Sequence, residues 1–178
     1  MSNSIHSEIG KEQVLAALAP FGVHLSDDQV AKIQAYVRLL LKWNKLTSLT
    51  SITDPDEIVS RHFGESMYAA TLLPVENGRL VDIGTGAGFP GLALKILNPD
   101  LHVVLIESNK KKTAFLAEVA RTLELPEVEI LSLRFEEIRP EGDFANFITA
   151  RAVGGFPALL RWSRMAVMAS MHSIRSSV

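Results

Sequence analysis

The first third of the chain has apolar residues at helical spacing. Residues 11–22 predict a short apolar helix, residues 26–46 a longer helix capped by Ser26, and residues 55–73 a third helix that ends at Pro74. In the second helix the apolar stripe repeats every three or four residues and consists of Val30, Ile33, Val37, Leu40 and Leu41. The sequence therefore predicts three helices before any strand.

From residue 79 the pattern changes to short apolar runs that alternate with helical segments. The predicted strands are RLVDI (79–83), LHVVLIES (101–108), EVEILSL (127–133) and DFANFITAR (143–151). The predicted helices are PGLALKILN (90–98) and KKKTAFLAEVARTLEL (110–125). Parallel strands need a crossover of about a dozen residues or more, which helices supply. We predict a doubly wound, mostly parallel α/β sheet with an N-terminal helical extension.

The composition is typical of a single globular domain. The 178 residues are 47% hydrophobic and 21% charged, which suits a chain with one principal core. No run approaches the roughly 18 apolar residues of a membrane span, and the N-terminus lacks the features of a signal peptide. We therefore expect a soluble, cytoplasmic protein with no membrane partner. The absence of cysteine excludes disulfides, thiolate metal sites and a cysteine nucleophile.

Charge gives a less decisive indication of partners. The formal net charge of −2 is not that of a protein that coats nucleic acid through bulk charge. Residues 151–178 nevertheless contain no acidic residue and several arginines, namely Arg151, Arg161, Arg164 and Arg175. This end of the chain either contacts a polyanion or is an ordinary solvated surface, and charge alone leaves both possibilities open.

A glycine-rich turn follows the first predicted strand. Residues 86–91, GAGFPG, match the G-x-G-x-x-G spacing of a dinucleotide-binding turn, and Glu107 ends the next strand at a suitable distance downstream. A second interpretation begins the turn at Gly84, includes Gly86, and binds S-adenosylmethionine. Glu107 suits either cofactor, because both carry an adenosine ribose whose hydroxyls can donate to a carboxylate.

Asp82 favours the second interpretation. A carboxylate beside the turn would repel the pyrophosphate that a dinucleotide fold places at a helix N-terminus. S-adenosylmethionine carries an ammonium and a sulfonium near its reactive centre, and these tolerate a carboxylate. Pro90 also removes a backbone N–H from the helix start, although proline is common there for structural reasons. The sequence has no obvious catalytic triad and no cluster of metal ligands, so we expect no metal.

Several separated motifs together resemble one known family. VDIGTGAGFPGLALKI, with LLKWNKLTSLTSITDPDEIVSRHFGES upstream and FEEI and DFANFITARAV downstream, is similar to the bacterial glucose-inhibited division protein B family. Members of that family methylate guanine N7 in small-subunit ribosomal RNA. The resemblance covers roughly residues 12–162. It departs mildly at Ser48, where the family usually has asparagine, and at Glu65, where the family usually has aspartate.

The resemblance implies a class I S-adenosylmethionine fold and a set of site residues. The implied cofactor contacts are Gly84, Phe89, Phe135, Glu136 and Arg151, to which the turn analysis adds Gly86 and Glu107. Candidates for the substrate side are Asn44, His62, Ser66 and Lys111. For His62, as for Trp43, packing within the helical segment is an equal alternative. Because guanine N7 has a nucleophilic lone pair, the reaction needs positioning rather than a general base.

The family continues past residue 162 with two more strands, which the end of this chain does not show. We therefore expect residues 1–75 to form a helical subdomain, residues 76–162 an incomplete cofactor-binding domain, and residues 163–178 an atypical tail of a truncated or altered chain. The implied partner is 16S ribosomal RNA or the 30S subunit. We expect a monomer, with self-association possible through the exposed sheet edge. An NAD(P)-binding oxidoreductase and an inactive RNA-binding remnant remain alternatives.

Overall fold

Four parallel strands form the sheet in the described part of the protein. A computed structural model describes residues 8–72, 78–141 and 144–176. The strands are β1 (Arg79–Ile83), β2 (His102–Ile106), β3 (Val128–Leu131) and β4 (Phe147–Ala150), in the spatial order β3-β2-β1-β4. The chain proceeds outward from β1 to β3 and then returns to place β4 on the other side of β1. The switch in strand order therefore lies at β1 and β4, where α/β sheets bind ligands.

The helical extension has the predicted helices with one irregularity. The bounds are α1 (Lys11–Leu18), α2 (Asp27–Asn44), α3 (Pro55–Ile58) and α4 (Glu65–Leu72). A π-helical segment, Val59–Gly64, joins α3 to α4 and interrupts what the sequence predicts as one regular helix. Ser26 caps α2 by accepting the Gln29 N–H, as predicted. The predicted end of the third helix at Pro74 lies outside the described residues.

Helices cover both faces of the sheet. Two of them are the predicted crossovers, α5 (Gly91–Leu97) and α6 (Lys110–Thr122), and a long α7 (Phe156–Ser176) follows β4. The tail therefore begins as a helix, and in the described residues no strand follows β4. Among these same residues, none of the helices is long and apolar enough to span a membrane.

The residues of β1 and β2 are buried on both faces, as expected for a parallel sheet between helices. Leu80, Val103 and Leu105 point into a large core that also contains side chains of α1, α2, α5 and α6. Val81 and Ile83 point into a smaller core closed by Trp162 of α7. The large core includes residues of both the helical extension and the sheet, so these two regions pack as one unit in the described structure.

Candidate functional site

The turn after β1 has a backbone that only glycine adopts readily. The φ angles of Gly84, Gly86 and Gly88 are 63°, 60° and 90°. A Cβ on Gly84 would lie 2.6 Å from Val153 Cγ2, because the segment after β4 packs closely against the turn. Gly86 has no such neighbour, and its N–H points toward the end of β2. The turn is thus fixed between two strand ends, with Gly84 exposed, Gly86 half-buried and the rest of its residues buried.

Asp82, the fourth residue of β1, ties the turn to the rest of the fold. Its buried carboxylate accepts hydrogen bonds from the Thr85 hydroxyl (2.5 Å), the Gly91 N–H (2.9 Å) and the Thr149 hydroxyl of β4 (2.9 Å). The carboxylate therefore accepts the hydrogen bond of the first N–H of α5, at the helix end where a dinucleotide fold would place a pyrophosphate. This geometry agrees with the argument from charge against a dinucleotide.

Glu107 follows β2 and faces the same turn. One carboxylate oxygen accepts from the Gly86 N–H (3.1 Å) and the other from the Asn109 N–H (2.8 Å). These two bonds fix the side chain, and each oxygen retains acceptor capacity for a further donor. Such a carboxylate can bind two neighbouring hydroxyls of one ligand.

A cavity lies between the turn and the ends of β2 and β3. We call it the turn cavity, and its lining includes Gly84, Glu107, Phe135, Glu136 and Val153, with Ile83, Ile106 and Leu133 as apolar walls. The structure thus brings together four of the seven cofactor residues expected from the sequence. Gly86 borders this group through its bond to Glu107. The side chains of Phe89 and Arg151 do not line the turn cavity.

Phe89 lies instead at the centre of an aromatic stack. Its ring is buried between the Tyr36 ring (centroids 5.2 Å apart) and the His62 ring (4.9 Å apart). The Arg151 guanidinium lies over the same Phe89 ring at 5.7 Å, and its nitrogen is 3.4 Å from His62 Nδ1. The Tyr36 hydroxyl donates to the Ala87 carbonyl within the turn. The helical extension thereby supports the glycine turn from behind.

The proposed substrate-side residues have different roles in the structure. Asn44 accepts from the Leu49 and Thr50 N–H groups and donates to the Thr50 carbonyl, so it holds a loop. Ser66 donates to the His62 carbonyl, and His62 Nε2 lies 2.8 Å from the Thr50 hydroxyl. Lys111 has an exposed side chain at the start of α6. Only His62 among them contacts both Phe89 and Arg151, at the carboxyl end of β4.

A second cavity, of about 460 Å³, lies on the other side of β4, and we call it the β4 cavity. Its lining consists of Glu65, Ser66, Ala69, Pro90, Ile148, Thr149, Ala150 and Arg151. Ile83 lines the turn cavity and pairs with Ala150, which lines the β4 cavity, so the two cavities lie at the same end of these neighbouring strands.

Two buried groups have strongly shifted pKa values. Burial, together with the charges of Arg151 and Arg61, lowers the pKa of His62 from 6.5 to about 4. His62 is therefore neutral near pH 7. Burial raises the pKa of Asp82 from 3.8 to about 6, although its three hydrogen bonds and the Arg151 charge oppose the shift.

These shifts predict opposite pH dependences of the free energy of unfolding. The contribution of His62 is present above pH 6.5 and is lost as the pH falls toward 4, because folding disfavours its protonated form. The contribution of Asp82 is present below pH 3.8 and is lost as the pH rises through 6. As the pH rises from 4 to 6.5, the free energy of unfolding of His62→Gln should therefore fall relative to that of wild type. Over the rise from pH 3.8 to 6, that of Asp82→Asn should increase relative to wild type. Urea unfolding at a series of pH values across these ranges measures the free energies. If the free energy of unfolding of a variant changes with pH in parallel with that of wild type, the corresponding pKa shift is wrong.

Sequence reasoning did not predict that Tyr36 supports the turn or that Glu65 lines the β4 cavity. Tyr36 lies in the apolar stripe of α2 at helical spacing from Ile33 and Leu40, and a tyrosine there was a sign of a buried hydroxyl that needs a partner. No local pattern places Glu65 in one cavity with residues of β4, because they are far apart in the chain.

Comparison with known proteins identifies relatives of this chain. A family model described as rRNA small subunit methyltransferase G matches residues 29–172. The proteins named ribosomal RNA small subunit methyltransferase G from Ectopseudomonas mendocina and Pseudomonas fluorescens are 37% and 38% identical to it. The first match covers 90% of this chain and 75% of the relative, and the second covers 92% and 75%.

Solved structures agree on the fold. A protein from Methanococcus maripaludis, described as an S-adenosyl-L-methionine-dependent methyltransferase, superposes with a TM-score of 0.52 at 18% identity. The match covers 62% of this chain and 54% of that one. The predicted Rossmann-like α/β fold is therefore confirmed.

Proposed function

Because the chain belongs to the rRNA small subunit methyltransferase G family, we propose that it transfers a methyl group from S-adenosyl-L-methionine to N7 of a guanine in 16S ribosomal RNA. The observation that carries the proposal is the Glu107 carboxylate, held by two backbone N–H groups at the mouth of the glycine turn. A ribosomal RNA substrate, free or within the 30S subunit, would place the protein in the cytoplasm.

The turn cavity fits the expected cofactor in its chemistry. Glu107 would accept hydrogen bonds from the two ribose hydroxyls, and the apolar walls of Ile106 and Leu133 suit an adenine ring. Glu136 lines the same cavity and can accept from a polar group of the ligand. S-adenosylmethionine supplies an activated methyl group, and its transfer to a lone pair on a ring nitrogen requires no proton acceptor. The residues around the turn therefore act by binding and orientation.

The acceptor base would approach from the side of Arg151 and His62. His62 is neutral near pH 7 and adds no positive charge beside the Arg151 guanidinium. The site thus offers a fixed cation for an RNA ligand at the carboxyl end of β4. The expected cofactor roles of Phe89 and Arg151 stay predictions, and the stack around Phe89 supports an indirect role through the shape of the turn.

A methyl-transfer assay tests the proposal. The chain is incubated with radiolabelled S-adenosylmethionine and with 16S RNA or 30S subunits that lack the modification. We expect label in the RNA, and strand cleavage specific for 7-methylguanine should map it to one guanine. The full-length relative from Ectopseudomonas mendocina serves as positive control. Label at another atom or base would contradict the N7 assignment.

A binding assay separates the alternatives. Excess S-adenosylhomocysteine should raise the melting temperature by several degrees, whereas NAD and NADP should not. Stabilisation by a dinucleotide alone would favour an oxidoreductase. Cofactor binding with no label in the RNA, beside an active control, would indicate an RNA-binding remnant.

A further inference from the structure

We propose that the β4 cavity binds the acceptor guanine and that Glu65 recognises its N1–H and N2 amino group. This inference rests on the proposed function, because it assigns the place and the recognition of the base that is methylated. It also makes Glu65, rather than a residue of the glycine turn, the determinant that distinguishes guanine from other bases.

The position of the cavity suits an acceptor base. The β4 cavity and the turn cavity adjoin at the carboxyl ends of β1 and β4, where Ile83 pairs with Ala150. Pro90 from the glycine turn forms part of its wall. A base in the β4 cavity therefore lies directly beside the turn that borders the cofactor site, as a methyl transfer between the two cavities requires.

Two of the polar side chains around the cavity are already committed to partners. The Ser66 hydroxyl donates to the His62 carbonyl, and the Thr149 hydroxyl donates to Asp82. In the described chain no cation lies within 4.0 Å of the Glu65 carboxylate, which is exposed. Glu65 and Arg151 are thus the lining groups with capacity for a new polar partner.

Arg151 is held in place by its own neighbours. Its guanidinium lies over the Phe89 ring and beside His62 Nδ1. Because His62 is a neutral ring stacked on Phe89, this contact orients the guanidinium without neutralising it. The cavity therefore has a fixed group that can only donate hydrogen bonds, and an exposed carboxylate that can only accept them.

This pair of groups is complementary to guanine. Guanine has two adjacent donors, N1–H and the N2 amino group, which a carboxylate accepts together, and an acceptor at O6 to which Arg151 can donate while the N7 lone pair stays free for the methyl group. Adenine has an acceptor at N1, which the Glu65 carboxylate would repel, and cytosine has an acceptor at N3. The apolar surfaces of Ala69, Pro90 and Ile148 suit the faces of a ring. Charge and shape together favour guanine in this cavity.

The test removes one acceptor from the protein, a carboxylate oxygen of Glu65, and one donor from the base, the N2 amino group. Glu65→Gln and wild type are compared by kcat/KM on 16S RNA with guanine at the mapped position and on the same RNA with hypoxanthine, which lacks the N2 amino group. On guanine, Glu65→Gln should lose about 10- to 100-fold in kcat/KM. On hypoxanthine the same substitution should lose less than about 5-fold, because the paired donor is already absent.

Matched variants distinguish recognition from damage to the fold. Glu65→Asp keeps the carboxylate and should stay within about 5-fold of wild type on guanine. Glu57→Gln removes a carboxylate that pairs with Arg61 outside the cavity, and it should not alter kcat/KM. The dissociation constant of S-adenosylhomocysteine should be unchanged in all three variants.

The outcomes separate this inference from the function on which it rests. An inactive wild type would contradict the proposed function. An active wild type with equal losses for Glu65→Gln on guanine and hypoxanthine, or with no loss on either, would overturn the role of Glu65. A loss confined to guanine supports it.

Discussion

Glu107→Ala is expected to weaken the binding of S-adenosylhomocysteine by about 100-fold. In the proposed function Glu107 accepts two hydrogen bonds from ribose hydroxyls, and the substitution would remove both, at a cost of about 3 kcal/mol. It also leaves the Gly86 N–H without its acceptor, so the turn keeps its backbone hydrogen bonds to Ile106 of β2 but loses the one to the Glu107 side chain. Isothermal titration calorimetry measures the change directly.

Two further variants make this result specific. Glu107→Gln keeps the size of the side chain and one acceptor oxygen, and we expect a loss of about 10-fold. Glu137→Gln changes a neighbouring carboxylate of the Phe135–Glu137 turn that does not line the turn cavity, and the affinity should not change. If Glu107→Ala binds the ligand as tightly as wild type, the ribose role of Glu107 is wrong.

Gly88→Ala is expected to destabilise the protein by about 3 to 5 kcal/mol. Gly88 has a φ of 90°, and its Cβ would lie 2.3 Å from the Tyr36 hydroxyl and 2.8 Å from Leu92 Cδ1. Tyr36 is fully buried and its hydroxyl donates to the Ala87 carbonyl, so it cannot move without breaking that bond. Urea unfolding of the ligand-free protein measures the loss, and an insoluble variant would agree with it.

Gly86→Ala is the matched control for this prediction. Its φ of 60° gives a similar backbone penalty, but the atom nearest to a new Cβ is the Gly84 carbonyl oxygen at 3.9 Å. We therefore expect a loss of about 1 to 2 kcal/mol, from backbone strain alone. Equal losses for the two variants would show that the contact of Gly88 with Tyr36 does not limit the stability of the turn.

The contact between Gly88 and Tyr36 connects the helical extension to the site. Tyr36 of α2 supports the turn, and the turn determines where Pro90 and Gly84 border the two cavities. A change in the packing of α2 should therefore alter cofactor binding without touching the cofactor. The extension and the sheet share one core, and the Tyr36 contact with Ala87 is the part of that core that reaches the turn.

Much of the fold followed from the sequence, because the signals are local. The strands β1 and β2 are buried on both faces and therefore appear as continuous apolar runs, and Ser26 marks the start of α2. Glu107 could be placed beside the glycine turn because parallel strands end at the same edge of a sheet. The π-helical segment Val59–Gly64 was missed, since a one-residue change in hydrogen bonding leaves no clear mark on apolar spacing.

The sequence alone determined the class of fold, the glycine turn and the carboxylate that faces it, since short-range backbone and burial preferences are written in neighbouring residues. Only the tertiary structure decided that Phe89 turns away from the turn cavity into a stack with Tyr36 and His62. It also placed Arg151 beside His62 and in the lining of the same cavity as Glu65. Such contacts depend on which faces of distant helices and strands pack together, and side-chain packing across the whole core selects that arrangement.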